Sequence, residues 1–222
     1  MSALLIPPPK PEDVSKAKPL DLVPLLENGD RLSGAEFMRR YEAMPNVKAE
    51  LIHGIVHIMA SPVRNTLHAA PMSRLIGWLS LYQSRHPHLV AGTDGTVILA
   101  DDEHFQPDAY LFDPSGLATV GEDDYVHGPP ELVCEVAAST AGRDAHEKAE
   151  AYAATGVREY LLWRTEETVP QLDWFTLKDG LYHPMPADAD DVITSGVFEG
   201  LRLNRRAMLE GDMAAVIATL TE

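Results

Sequence analysis

The chain has one cysteine, Cys134, so no intrachain disulfide can close and a reducing cytoplasm is the expected setting. Long apolar runs are missing too. None reaches membrane-spanning length, and the first residues lack the basic start and apolar core of a secretory signal, so no membrane partner is expected. Basic residues are scarce: 18 against 34 acidic ones, for a formal net charge of -16. That balance repels phosphate backbones at long range and argues against duplex binding through an overall basic surface. Internal repeats are absent, as is low complexity beyond the N-terminal stretch. What remains is an ordinary globular balance, 45% hydrophobic and 23% charged over 222 residues, enough for one substantial core.

Along the chain, residues 1–31 are rich in proline and polar groups and read as an extended tail, leaving 32–222 as a single domain. Ser33 and Glu36 form a capping box that opens a helix through GAEFMRRYEAM. KAELIHGIVHIMASP reads as a hairpin turning at His53-Gly54. Leu75, Trp78, Leu79 and Tyr82 mark an amphipathic helix from about Thr66 to Ser84, with Pro71 in its first turn or kinking it. GTVILA and QPDAYLFD follow as strands separated by the acidic turn ADDEH. After the loop GLATVGEDDYVHGPP come a short strand, a helix and the apolar strand REYLLW. A second hairpin turns at Asp179-Gly180, and NRRAMLEGDMAAVIATL closes the chain as one helix. The pattern predicts an α/β (α+β) domain with a mixed sheet.

The stretch 131–152, ELVCEVAASTAGRDAHEKAEAY, carries the chemistry. Strand alternation puts Leu132, Cys134 and Val136 on one face, and Glu131, Val133, Glu135 and Ala137 on the other. Cys134 belongs to the core face, and Glu131, straight after Pro129-Pro130, reads as solvated. Glu135 sits inside a strand that should be central. In the helix, Ala145, Lys148, Ala149 and Tyr152 share the packing side, opposite Arg143, His146, Glu147 and Glu150. A helix that folds back over its strand brings Lys148 toward Glu135. Asp108 opens a strand straight after Pro107, and Glu50 begins the first hairpin. Buried carboxylates are costly unless paired, and a divalent cation would relieve that cost. Blander alternatives stay open: an i,i+4 pair of Asp144 and Lys148 on the helix surface, a snorkelling lysine, and a Glu50 paired with Lys48 or an arginine. His53, His57, His86 and His88 show no metal-ligand spacing and read as surface or structural.

The order Glu50, Pro107-Asp108, Glu135, Asp144-x-x-x-Lys148-x-x-x-Tyr152, Gly156-Val157-x-Glu159-Tyr160 resembles the Uma2 family. This is a group of candidate endonucleases in the PD-(D/E)xK nuclease superfamily, once filed as a domain of unknown function. The resemblance spans roughly residues 33–205. It implies a restriction-endonuclease-like mixed β-sheet flanked by helices, with an additional β-hairpin region. The superfamily pattern places a lysine two residues after the second acid, where Ala137 stands; the family implies a lysine supplied by the next helix, at Lys148.

The resemblance further implies an enzyme that hydrolyses DNA phosphodiesters by attack of a metal-activated water, with Mg²⁺ as cofactor or Mn²⁺ in its place. Asp108, Glu135 and the Val136 carbonyl would ligate the metal, and Glu50 would hold a second ion or a metal-bound water. Lys148 would orient the attacking water or help deprotonate it. Asp144 would steady that ammonium, and His68 would contact phosphate. A homodimer is also implied. Two alternatives keep their place, the first favoured by the net charge of -16. One is a catalytically degenerate nuclease fold acting as an interaction module; the other is a hydrolase of a smaller phosphoester.

Overall fold

Short strands outnumber helices along the described chain. The computed structural model describes residues 23–59, 62–137, 141–166 and 168–220, those of 141–145 by backbone only. Helix α1 (Gly34–Tyr41) is followed by β1 (Ala49–Ile52), β2 (Ile55–Ile58), α2 (Ala70–Arg85) and β3 (Val90–Gly92). Next come β4 (Val97–Ala100), β5 (Glu103–Phe105), β6 (Ala109–Phe112), β7 (Thr119–Val120), β8 (Val126–His127) and β9 (Leu132–Ala137). Helix α3 (Ala141–Thr155) leads to β10 (Glu159–Arg164), β11 (Gln171–Lys178), β12 (Leu181–Pro184), β13 (Val192–Thr194) and β14 (Arg202–Asn204). Helices α4 (Arg205–Glu210) and α5 (Met213–Ala218) close the described chain.

The main sheet has the order β12-β11-β10-β9-β6-β3. It is mixed because α3 is a crossover: β9 and β10 run parallel, while β6 and β11 pair antiparallel with them. A second six-stranded sheet has the order β2-β1-β5-β4-β8-β7, so the expected additional hairpin is the edge of a whole layer. The two faces of the main sheet bury different cores. Leu132, Cys134 and Val136 with Ala109 and Leu111 meet α2, α4 and α5. The opposite face, with Val133, Tyr110, Phe112, Tyr160 and Leu162, meets Ile52, Val97 and Phe105 of the second sheet and Tyr152 of α3. Helix α1 covers the far side of the second sheet, where Phe37 packs with Ala49, Leu51 and Val56.

Both hairpins turn where expected, with His53-Gly54 at φ 52° and 72° and Asp179-Gly180 at φ 51° and 78°, the left-handed pair that two-residue hairpins need. REYLLW is indeed central, between β9 and β11. Pro71 stands in the first turn of α2, but a π-helical turn, Asn65–Ala69, precedes that helix.

Three expectations are corrected. ADDEH turns only at its aspartates: Glu103 and His104 belong to β5 and are buried. Glu103 lies 2.6 Å from the His53 ring, and His104 packs edge-on against Phe37. The C-terminal helix is two helices, because Gly211 caps α4 at φ 82° and the Asp212 carboxylate accepts from Ala215 N to start α5. Glu131 is buried rather than solvated, and its Oε2 accepts from the Asp113 amide at 3.1 Å. Of the tail expected over 1–31, residues 1–22 lie outside the described residues. The segment after them runs beside β2, with Leu26 buried and Gly29 N donating to Val56 O at 2.8 Å.

Two glycines test this packing. A Cβ on Gly34 would collide with the Asp101 carbonyl and the His104 ring, whereas one on Gly77, inside α2, would meet only Met213 Cε at 4.0 Å. Gly34→Ala should destabilise by about 1–3 kcal/mol, and Gly77→Ala should stabilise by about 0.5–1 kcal/mol. Urea midpoints moving in opposite directions at constant m would bear this out.

Candidate active site

Strand parity brings the acids together. Glu50 shares its face of β1 with Ile52, which packs between the two sheets. Asp108 precedes β6 in register with Tyr110 and Phe112, and Glu135 is in register with Val133; all four partners line the same interlayer core. Lys148 enters that layer from α3, one turn before Tyr152. All four charged groups are buried, with Glu50 at 1% and Lys148 at 7% exposure.

Lys148 Nζ donates to Glu50 Oε1 at 2.9 Å and to Glu135 Oε1 at 3.1 Å. Each acid has one oxygen held by donors. Glu50 Oε1 also accepts from Gln106 N at 2.9 Å, Glu135 Oε1 from the Tyr152 hydroxyl at 2.7 Å, and Asp108 Oδ2 from Val136 N at 2.6 Å. The second oxygens are left over. Glu50 Oε2 is buried without a partner, Glu135 Oε2 has no hydrogen bond among the described residues, and Asp108 Oδ1 meets only His68 Nε2, at 3.2 Å.

The electrostatics follow from that crowding. Burial, reinforced by Asp108 and Glu50, raises the Glu135 pKa to about 7 in spite of Lys148. Burial alone would favour a neutral Lys148, but Glu135 and Glu50 outweigh it and hold the ammonium well above the ordinary lysine range. The hydrogen bond to Asp108 raises the His68 pKa against the opposing effect of burial.

Glu50, Asp108, Glu135 and Lys148 are therefore brought into one cluster, and His68 joins it through Asp108. The turn bearing His68 is tied to β10 by Thr165 Oγ1, which donates to Leu67 O at 2.6 Å. Val136 contributes its amide. The Asp144 side chain lies outside the described residues; among the described residues the partners of the Lys148 ammonium are Glu50 and Glu135. Residue patterning passed over Gln106, whose part is played by its backbone N–H, and the hydroxyl of Tyr152. Tyr152 had a signal, since it lies four residues after Lys148 on the same helix face.

The donor set suits a hard cation, which takes oxygen ligands and tolerates mixed carboxylate geometry. Among the described residues no group of three or more His, Cys, Asp or Glu stands ready to hold a metal, and Lys148 lies between Glu50 and Glu135. A separate cavity of about 520 Å³, lined in part by Tyr82, His86, Arg158 and Glu199, includes none of these residues.

Residues 35–206 match the Uma2 family, described as "Putative restriction endonuclease". No curated protein matches the chain. Among solved structures, the chain resembles a "putative nuclease belonging to DUF820 from Anabaena variabilis ATCC 29413" at a TM-score of 0.57 and 12% identity. The likeness covers 86% of this chain and 99% of that one. At that identity it shows a shared fold. No described helix is long and apolar enough to cross a membrane.

The raised Glu135 pKa makes a prediction about stability. Between the ordinary carboxyl value of 4.5 and about 7, the folded metal-free protein holds a proton that the unfolded chain has released, so this group adds stability as pH falls through that window. Glu135→Gln removes the effect. Unfolding free energies at pH 8 and pH 5, without metal, should give a wild type that gains more on acidification than the variant does.

Proposed function

Because the chain belongs to the Uma2 family, we propose that it is a divalent-metal-dependent endonuclease that hydrolyses phosphodiester bonds of DNA. One observation carries this. Three buried carboxylates converge, two of them on one lysine; each has one oxygen held by protein donors, Glu50 keeps its other oxygen unpartnered, and the other oxygen of Asp108 meets only the His68 ring. Burying that much negative charge is costly, and a protein that needed only a filled core would use apolar side chains. Asp108 through Oδ1 and Glu135 through Oε2 would hold Mg²⁺ or Mn²⁺, with the Val136 carbonyl and the unpartnered Glu50 Oε2 completing the set. A cation bound there would neutralise the phosphate and lower the pKa of the attacking water.

The chain's own residues do the rest. Lys148 stays protonated while its two carboxylates are ionised, so its part is to orient the water and offset charge growing on the phosphoryl oxygens, rather than to take a proton. It holds Glu50 and Glu135 through their Oε1 atoms, which would leave the Oε2 atoms to a cation. Tyr152 and Val136 N fix which oxygen of Glu135 and of Asp108 is left for the ion. His68 sits on Asp108 Oδ1; were a cation to take that oxygen, the His68 ring would be available to a substrate phosphate.

Purified protein with plasmid and oligonucleotide DNA in Mg²⁺ or Mn²⁺ should show cleavage. Asp108→Ala and Lys148→Ala should each lower it by at least about 100-fold, with circular dichroism confirming a folded chain. Cleavage surviving both changes would mark a contaminant. The net charge of -16 favours the rival, a nuclease fold that only binds other proteins. That rival predicts no Mn²⁺ heat in calorimetry, whereas the site proposed here should bind the ion and raise the melting temperature. Turnover of a small phosphodiester with none of DNA would point instead to a hydrolase of smaller esters.

A further inference from the structure

A strongly acidic protein that cuts DNA must hold phosphates locally, and a second lysine stands at the rim of the acid cluster. Lys48 lies two residues before Glu50, on the same face of the strand that begins there. Its Nζ meets Asp94 Oδ1 at 2.5 Å, with the lysine side chain 36% exposed. Glu50 is deep in the layer, so the pair Lys48 and Glu50 runs from rim to interior along one strand face.

Asp94 is itself fixed to the site. Its amide donates to Pro107 O at 3.1 Å, and Thr93 Oγ1 donates to Asp108 O at 2.8 Å. The loop carrying Asp94 is thus fastened to the Pro107-Asp108 corner, and Asp94 holds the Lys48 ammonium in front of it. Lys48 is joined to the cluster's corner through Asp94, and that one acceptor uses only one of its three N–H donors.

We propose that Lys48 docks a substrate phosphate next to the scissile one, placing the strand across the acid cluster while Asp94 keeps the ammonium in position. Resting on the nuclease assignment above, the proposal adds the subsite through which an acidic protein holds an anionic polymer. Lys148 cannot serve that purpose, being buried and committed to two carboxylates.

The test is binding without turnover. A fluorescein-labelled 20-mer, duplex and single-stranded, is titrated with the full chain in Ca²⁺ across a series of NaCl concentrations, by anisotropy. Losing one phosphate contact should reduce the salt slope of Lys48→Gln by about 0.7–0.9 relative to wild type, and Lys48→Arg should restore it. Lys178, beside the Asp179-Gly180 turn and at the other end of β11 from the cluster, is the control. Its Lys178→Gln variant makes the same charge change and should keep the wild-type slope. In Mg²⁺, Lys48→Gln should raise KM at unchanged kcat, with Mn²⁺ affinity and melting temperature unmoved. An unchanged slope for Lys48→Gln, or an equal drop for Lys178→Gln, overturns the proposal. So does a loss of Mn²⁺ binding in Lys48→Gln, which would make the residue structural. Wild type that binds neither oligonucleotide overturns the nuclease assignment along with it, whereas wild-type binding with an unaltered Lys48→Gln slope overturns this subsite alone.

Discussion

Lys148 lies between carboxylates of two different sheets, Glu50 on β1 and Glu135 on β9, and much of the molecule's arrangement depends on that contact. The layer it occupies is otherwise apolar and aromatic, with Phe105, Tyr152 and Tyr160 around it. In such surroundings a charge is costly unless it is answered, and electrostatic attraction is strong where it is. One ammonium answers two acids, while a histidine and a backbone amide answer the third. Removing one partner of a buried ion pair costs about 3–5 kcal/mol, yet exchanging a whole pair for apolar residues is often neutral or favourable. The cluster is therefore a poor device for stability.

Much of the cluster's arrangement could be read from residue order. Period-two alternation in ELVCEVA separates Cys134 from Glu135, and the two cores on either side of β9 are divided along that line. Helical spacing turned Lys148 and Tyr152 inward, where both meet Glu135. Asp108 follows the same parity through Tyr110 and Phe112. What alternation could not supply was the partner layer. A strand pattern says which residues share a face, not which other sheet that face will meet, so the meeting of Glu50 with Lys148 was legible only through a family resemblance.

Other failures have local causes. Glu131 looked like a solvated acid after two prolines, but the Asp113 amide needed an acceptor there. Glu103 looked like part of an acidic turn, yet His53 across the second sheet supplied a partner. Acidic residues read as surface by default, and a single distant donor is enough to reverse that. The C-terminal helix split because one glycine can take φ 82° and the aspartate after it can cap a new helix, a signal that apolar periodicity on both sides obscured.

The position of the lysine has a further consequence. At residue 137, where the superfamily pattern carries it, a lysine would stand beside Glu135 on the same strand, anchored by the sheet alone. Ala137 stands there instead, at the end of the ladder, where its carbonyl accepts from Thr165 N. Borne on α3, the ammonium reaches acids of both sheets, and it does so only when the helix is seated on the interlayer core through Ala151 and Tyr152. The charge balance of the cluster is thereby tied to the docking of one helix: if α3 lifts, Glu50 and Glu135 lose their cation together and Glu135 also loses the Tyr152 hydroxyl. A strand-borne lysine would leave the site intact under the same displacement, so moving the lysine makes the acid cluster conditional on the packing of the whole layer.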